Sequence, residues 1–115
     1  MFKSVQYAGF EGRPDLKAGA ERVVAALGAV VRDWDKQVAL TFEARPHQPA
    51  GVEVTLTLDL PAARGSGSLL LTAREFQDPA TLESRCRAVW ARATDDYLER
   101  RKPAWDEIIN QPVEV

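Results

Sequence analysis

Glu43 and Glu53 are the residues of this chain whose types and spacing come closest to a catalytic pair. Each lies in a segment that alternates apolar and polar residues. If the hairpins pair symmetrically about their loops, Glu43 stands opposite Glu53, and Glu53 stands opposite Arg74. Adjacent carboxylates repel, which raises the pKa of one of them, as a general acid requires. Arg74 would offset that repulsion. The plainer arrangement of the same residues is a solvated ladder of cross-strand charges.

The other reactive types are isolated. His47 is the only histidine and lies in the loop Arg45-Pro46-His47-Gln48-Pro49-Ala50-Gly51. Cys86 is the only cysteine and falls on an apolar helical stripe, where a thiol behaves as a small hydrophobe. One histidine and one cysteine fit no zinc-ligand spacing, and no cofactor is expected. Gly65-Ser66-Gly67-Ser68 looks like a phosphate loop, but it precedes a strand, whereas phosphate loops open a helix. It reads as a hairpin turn. Asp33 and Asp35 flank Trp34, which is expected to close the core, while Asp95 and Asp96 read as part of a charged helix face. Arg85, Arg87, Arg92, Arg100, Arg101 and Lys102 form the densest basic group. Glu83–Arg87 and Asp96–Arg100 have the favourable i,i+4 order for helical ion pairs, which consumes part of that charge.

The elements that position these residues follow from periodicity. Pro14 and Asp15 suit a helix N-terminus. Leu16, Ala20, Val23, Val24, Leu27, Val31 and Trp34 continue at spacings of three and four, which predicts a helix over 14–34. Residues 37–44 and 52–60 then alternate at period two, the second as Val52, Val54, Leu56, Leu58 and Leu60 against Glu53, Thr55, Thr57 and Asp59. Alternation this regular implies one dry face and one wet face. Residues 68–76 form the third predicted strand. Asp78 caps a last helix with Pro79 in its first turn. Leu82, Cys86, Val89, Trp90, Ala93 and Tyr97 make its stripe. Pro103 is expected to end it, with a further turn or two around Trp105, Ile108 and Ile109.

The expected fold is therefore α+β, a two-layer sandwich in the order α-β-β-β-α. Its sheet is a three-stranded antiparallel meander with both long helices on one face. Residues 1–12 form an N-terminal arm or short strand, 13–110 a single domain, and 111–115 a flexible tail.

Length and charge bound the function. The chain has 115 residues, enough for one domain whose core needs no disulfide or metal. Fifteen basic and 17 acidic side chains give a net charge of −2, spread evenly along the chain, which argues against strong binding to a polyanion. The longest nearly apolar run, Val23 to Val31, is far short of the roughly 20 residues a bilayer demands. No apolar run follows Lys3, so no secretory signal is expected, and the lone cysteine suits a cytoplasmic setting.

Helix–strand–strand–strand–helix resembles the element order of double-stranded RNA-binding domains, over a stretch corresponding to residues 14–102. That family contacts RNA through a Lys-rich motif at the start of its last helix. The matching stretch here, Gln77-Asp78-Pro79-Ala80-Thr81-Leu82-Glu83, has no lysine and two acids. No RNA-contacting residue carries over, and the resemblance implies topology alone. Secretion-chaperone-like proteins also combine helices with a small antiparallel sheet and act as dimers, but no motif here specifies them.

The leading expectation is a non-catalytic protein-interaction module, with a homodimer as one form of it. Its candidate face is Thr41, Glu43, Glu53, Thr55, Thr57, Leu70, Thr72 and Arg74 on an uncovered side of the sheet, beside edge strands open to pairing. The alternatives are a weak nucleic-acid binder using the basic side of the last helix, and a small enzyme using Glu43, Glu53 and Arg74.

Overall fold

The computed structural model describes residues 1–47 and 49–110, with side chains up to residue 101. It is an α+β fold of one four-stranded mixed sheet and two long helices. In chain order the elements are β1 (Ser4–Ala8), α1 (Pro14–Val31), a 3₁₀ segment (Arg32–Gln37), β2 (Val38–Arg45), β3 (Gly51–Asp59), β4 (Arg64–Thr72), a 3₁₀ turn (Glu75–Gln77) and α2 (Pro79–Asn110). The tail expected over 111–115 lies outside the described residues.

The three-stranded meander needs correction. β2, β3 and β4 do form an antiparallel meander, but β1 joins β2 in parallel, with Val5 level with Leu40 and Tyr7 level with Phe42. Of the two forms expected for 1–12, Ser4–Ala8 takes that of a short strand, and β1-α1-β2 is a crossover unit. A parallel pair is invisible to a search for hairpins because its strands are joined through a whole helix.

The core lies between sheet and helices. Val38, Leu40 and Phe42 of β2 and Val52, Val54, Leu56 and Leu58 of β3 point into it. Leu16, Ala20, Val23, Leu27 and Val31 of α1 and Leu82, Cys86, Val89 and Ala93 of α2 meet them. Both stripes are those set by the sequence, except at Trp34. Arg32 adopts φ 51°, which breaks the α-helical repeat, and the 3₁₀ segment turns Trp34 out to 49% exposure instead of closing the core.

β4 begins four residues before its expected start. The turn from β3 is Leu60-Pro61-Ala62-Ala63, closed by the Leu60 N–H to the Ala63 carbonyl at 3.1 Å. Gly65-Ser66-Gly67-Ser68 is therefore strand, not turn. The glycines face α2 because nothing larger fits. A Cβ on Gly65 would lie 2.3 Å from the Ala93 carbonyl oxygen and 2.4 Å from the Tyr97 nitrogen, and one on Gly67 would lie 2.7 Å from the Val89 carbonyl oxygen. Close packing of α2 on β4 thus depends on their missing side chains. The same shift leaves Arg74 and Phe76 beyond the strand, with Phe76 buried in the 3₁₀ turn.

α2 starts as expected. Asp78 accepts from the Ala80 N–H at 3.2 Å and from the Thr81 hydroxyl at 2.6 Å. Its end differs, since the helical backbone runs through Pro103 to Asn110. Pro103 has no N–H for one i→i−4 hydrogen bond, and the helix carries it all the same.

Candidate functional site

The sheet surface away from the helices is flat and polar. Alternation places Ser4 and Gln6 of β1 on it, with Ala39, Thr41, Glu43 and Arg45 of β2. β3 adds Glu53, Thr55, Thr57 and Asp59, and β4 adds Ser66, Ser68, Leu70 and Thr72. Register aligns these into rows across the strands. Gln6, Thr41, Thr55 and Ser68 form one row, and Ser4, Ala39, Thr57 and Ser66 form the next. Within the rows the Thr55 and Ser68 hydroxyls are 3.2 Å apart, as are those of Thr57 and Ser66. The hydroxyls tie the two strands together and still present oxygen atoms to solvent.

Seven of the eight expected face residues lie on β2–β4: Thr41, Glu43, Glu53, Thr55, Thr57, Leu70 and Thr72. Arg74 does not join them. Glu43 is opposite Glu53 as expected, but Glu53 is opposite Leu70, and Arg74 sits in the turn after β4. The cause is the early start of β4, which moves its pairing partners along the strand. Arg45 takes the part foreseen for Arg74. Its guanidinium bonds to Glu53 and lies 3.7 Å from Glu43, so one cation serves both carboxylates. Leu70, 43% exposed, is the one large apolar side chain on this surface of β2–β4. Ser66 and Ser68 belong to it too. They were missed because Gly65 and Gly67 carry a turn signature, although Gly and Ser alternate at the same period as Leu69 and Leu71.

The two sheet edges differ. β4 turns its Ser66, Ser68, Leu70 and Thr72 backbone groups outward, and α2 and the turn before it cap them. The Ser66 N–H donates to Asp96 Oδ2 at 2.8 Å, and Arg92 Nη1 donates to the Ser68 carbonyl at 2.9 Å. Arg85 Nη2 donates to the Leu70 carbonyl at 3.0 Å, and the Thr72 N–H donates to Glu75 Oε1 at 3.0 Å. Charged side chains stand where a fifth strand would pair, a standard protection of an exposed edge. Arg85 and Arg92 of the basic group of α2 are spent in this way. Arg85 also pairs with Glu75, Arg87 with Glu83, and Arg100 with Asp96. Asp96, expected as ordinary helix-face charge, is a structural acceptor instead.

The Ser66 N–H, followed by Arg100, holds the Asp96 carboxyl below the usual carboxylate range. A lowered folded pKa contributes stability above the unfolded value of about 3.9, and that contribution is lost as pH falls through the folded value. The urea midpoint is therefore expected to drop on acidification below about pH 4. Asp96→Asn should remove part of that drop, and a variant with the wild-type pH profile would refute the assignment.

Among the described residues, β1 shows no such capping. Successive residues of a strand turn their N–H and C=O to opposite sides, so with the even-numbered residues of β4 facing outward the register turns the even-numbered residues of β2 toward β1, where the Val38 carbonyl accepts from the Lys3 N–H at 2.9 Å. In a parallel ladder those groups bond Ser4, Gln6 and Ala8, which leaves the N–H and C=O of Val5 and Tyr7 directed outward.

Three further features lie off the sheet face. A groove of about 330 Å³ is lined by Trp34, Leu58, Leu60, Trp90, Tyr97 and Leu98. Cys86 is buried, and desolvation pushes its thiol up to about 11, so it is no thiolate nucleophile at neutral pH. His47 is exposed in its loop. Among the described residues, no group of three or more His, Cys, Asp or Glu could hold a metal ion. No helix among them is long and apolar enough to cross a membrane. The chain matches no family model, no curated protein and no solved structure.

Proposed function

We propose that the chain is a non-catalytic protein-interaction module that receives its partner on the flat Ser/Thr-rich face of the sheet. The observation that carries this reading is the contrast between the two sides of the sheet. One side is closed by both helices, and the other presents rows of hydroxyls around Leu70 with no element of the described chain packed on it. Short hydroxyl side chains leave the strands accessible and lose little conformational entropy when covered, compared with lysine or glutamate. Leu70 supplies an apolar anchor, and Glu43 and Glu53 with Arg45 supply a charged rim. A protein partner fits this chemistry better than a nucleic acid, because Arg85, Arg87, Arg92 and Arg100 of α2 are bonded to the protein's own atoms. A cytoplasmic setting goes with the reading, supported by the lone, buried Cys86.

The test attaches a photo-crosslinker at Ser68→Cys in a Cys86→Ala background and compares it with one at Ala29→Cys on the helix side. A discrete protein adduct from position 68 and none from position 29 is the expected result. Equal labelling from both, or retention of duplex RNA at low salt where phosphate contacts are strongest, would overturn the reading.

A further inference from the structure

We infer that a second copy of this chain docks on the free edge of β1, joining two sheets into one of eight strands. This deepens the reading above by naming one partner of the sheet, and its test is separate from that of the face. Three observations carry it. The first is that the edges are unequal: β4 is capped by Asp96, Arg92, Arg85 and Glu75, while β1 has its outward groups at Val5 and Tyr7.

The second is self-complementarity. β1 is Ser-Val-Gln-Tyr-Ala, without a charge, a proline or a glycine, and so lacks the usual sequence protections of an edge. An antiparallel pair related by a two-fold axis at Gln6 sets Val5 of one copy opposite Tyr7 of the other. Those are the residues whose N–H and C=O point outward, so each such pair exchanges both hydrogen bonds. A β-branched residue then faces an aromatic one, a favourable cross-strand pair. Tyr7 is already held for that contact. It stacks on Phe42 with ring centres 5.4 Å apart, meets Phe10 edge-on, and stays 38% exposed.

The third observation is charge. The Lys17 ammonium lies 5.5 Å from the Tyr7 ring centre, and the charge of Glu21 contributes, after desolvation, to raising the Tyr7 hydroxyl pKa. Lys17 and Glu21 stand one helical turn apart on α1 beside this edge. A two-fold axis at Gln6 runs the two α1 helices antiparallel and brings Lys17 of each copy toward Glu21 of the other. A peptide strand would satisfy the same backbone groups but not this exchange.

The experiment uses the full chain. Light scattering behind a sizing column should give a mass of about 25 kDa, twice the 12.7 kDa of one chain. Gln6→Lys and Gln6→Glu each place like charges against one another at the axis, on the exposed face where the monomer fold is untouched. Each alone should weaken self-association by about fivefold or more, and an equimolar mixture should restore the dimer. Val5→Pro removes an outward N–H without touching the ladder to β2 and should give a folded monomer by circular dichroism. A wild-type chain that stays monomeric at the highest soluble concentration would overturn the proposal. So would a dimer indifferent to both Gln6 charges. Neither outcome bears on crosslinking from Ser68.

Discussion

Leu56→Ala is expected to lower the unfolding free energy by about 2–5 kcal/mol, the usual cost of truncating a core leucine. Leu56 is fully buried on β3, level with Leu40 on one side and Gly67 on the other. Gly67 has no side chain that could move into the space, and the backbone of α2 approaches Gly67 too closely to shift inward. The void would stay largely open, which favours the upper half of the range. Thr57→Ala, one residue along, removes a hydroxyl bonded to Ser66 and one methyl group on the open face and should change stability by less than about 1 kcal/mol. Urea denaturation of the two variants decides the matter. Equal losses would mean that the two faces of β3 are assigned wrongly.

Gly65→Ala is the second large effect, with an expected loss of about 1–3 kcal/mol or more from overpacking. The added Cβ would meet the Ala93 carbonyl oxygen at 2.3 Å and the Tyr97 nitrogen at 2.4 Å. These are backbone atoms of α2, so no rotamer change relieves the contact and the helix must lift from β4. Lifting it also lengthens the bonds from Asp96, Arg92 and Arg85 to the strand edge. The substitution should therefore expose β4 and promote aggregation as well as lower the urea midpoint. Gly28→Ala is the control with the opposite sign. A Cβ there meets nothing within 4 Å, and alanine should stabilise α1 by about 0.5–1 kcal/mol. If Gly65→Ala were as benign as Gly28→Ala, the close approach of α2 to β4 would be refuted.

These two predictions separate what local pattern carries from what it cannot. The faces of β2 and β3 were legible because a slip of one residue would put every leucine into water. The stripes of α1 and α2, the Asp78 cap and the ion pairs Glu83–Arg87 and Asp96–Arg100 were legible for the same kind of reason: their partners lie within a turn or two of one another. Gly65-Ser66-Gly67 was not, because its strand character depends on the α2 backbone passing over it. The Glu43–Glu53 pair could be read from hairpin symmetry, whereas its cation could not, since the register of β4 removed Arg74 and left the pair to Arg45.

By itself, then, the sequence determined the α+β class, both helical stripes and the polar character of the open face, because each is a periodic property of a continuous segment. Tertiary structure alone decided that β1 enters in parallel, that Trp34 turns outward and that β4 is sealed. Asp96 reaches the Ser66 N–H across 30 residues, and β1 reaches β2 only around the whole of α1. Which edge of the sheet stays open depends on where the side chains of α2 come to rest on β4, and no periodicity encodes that.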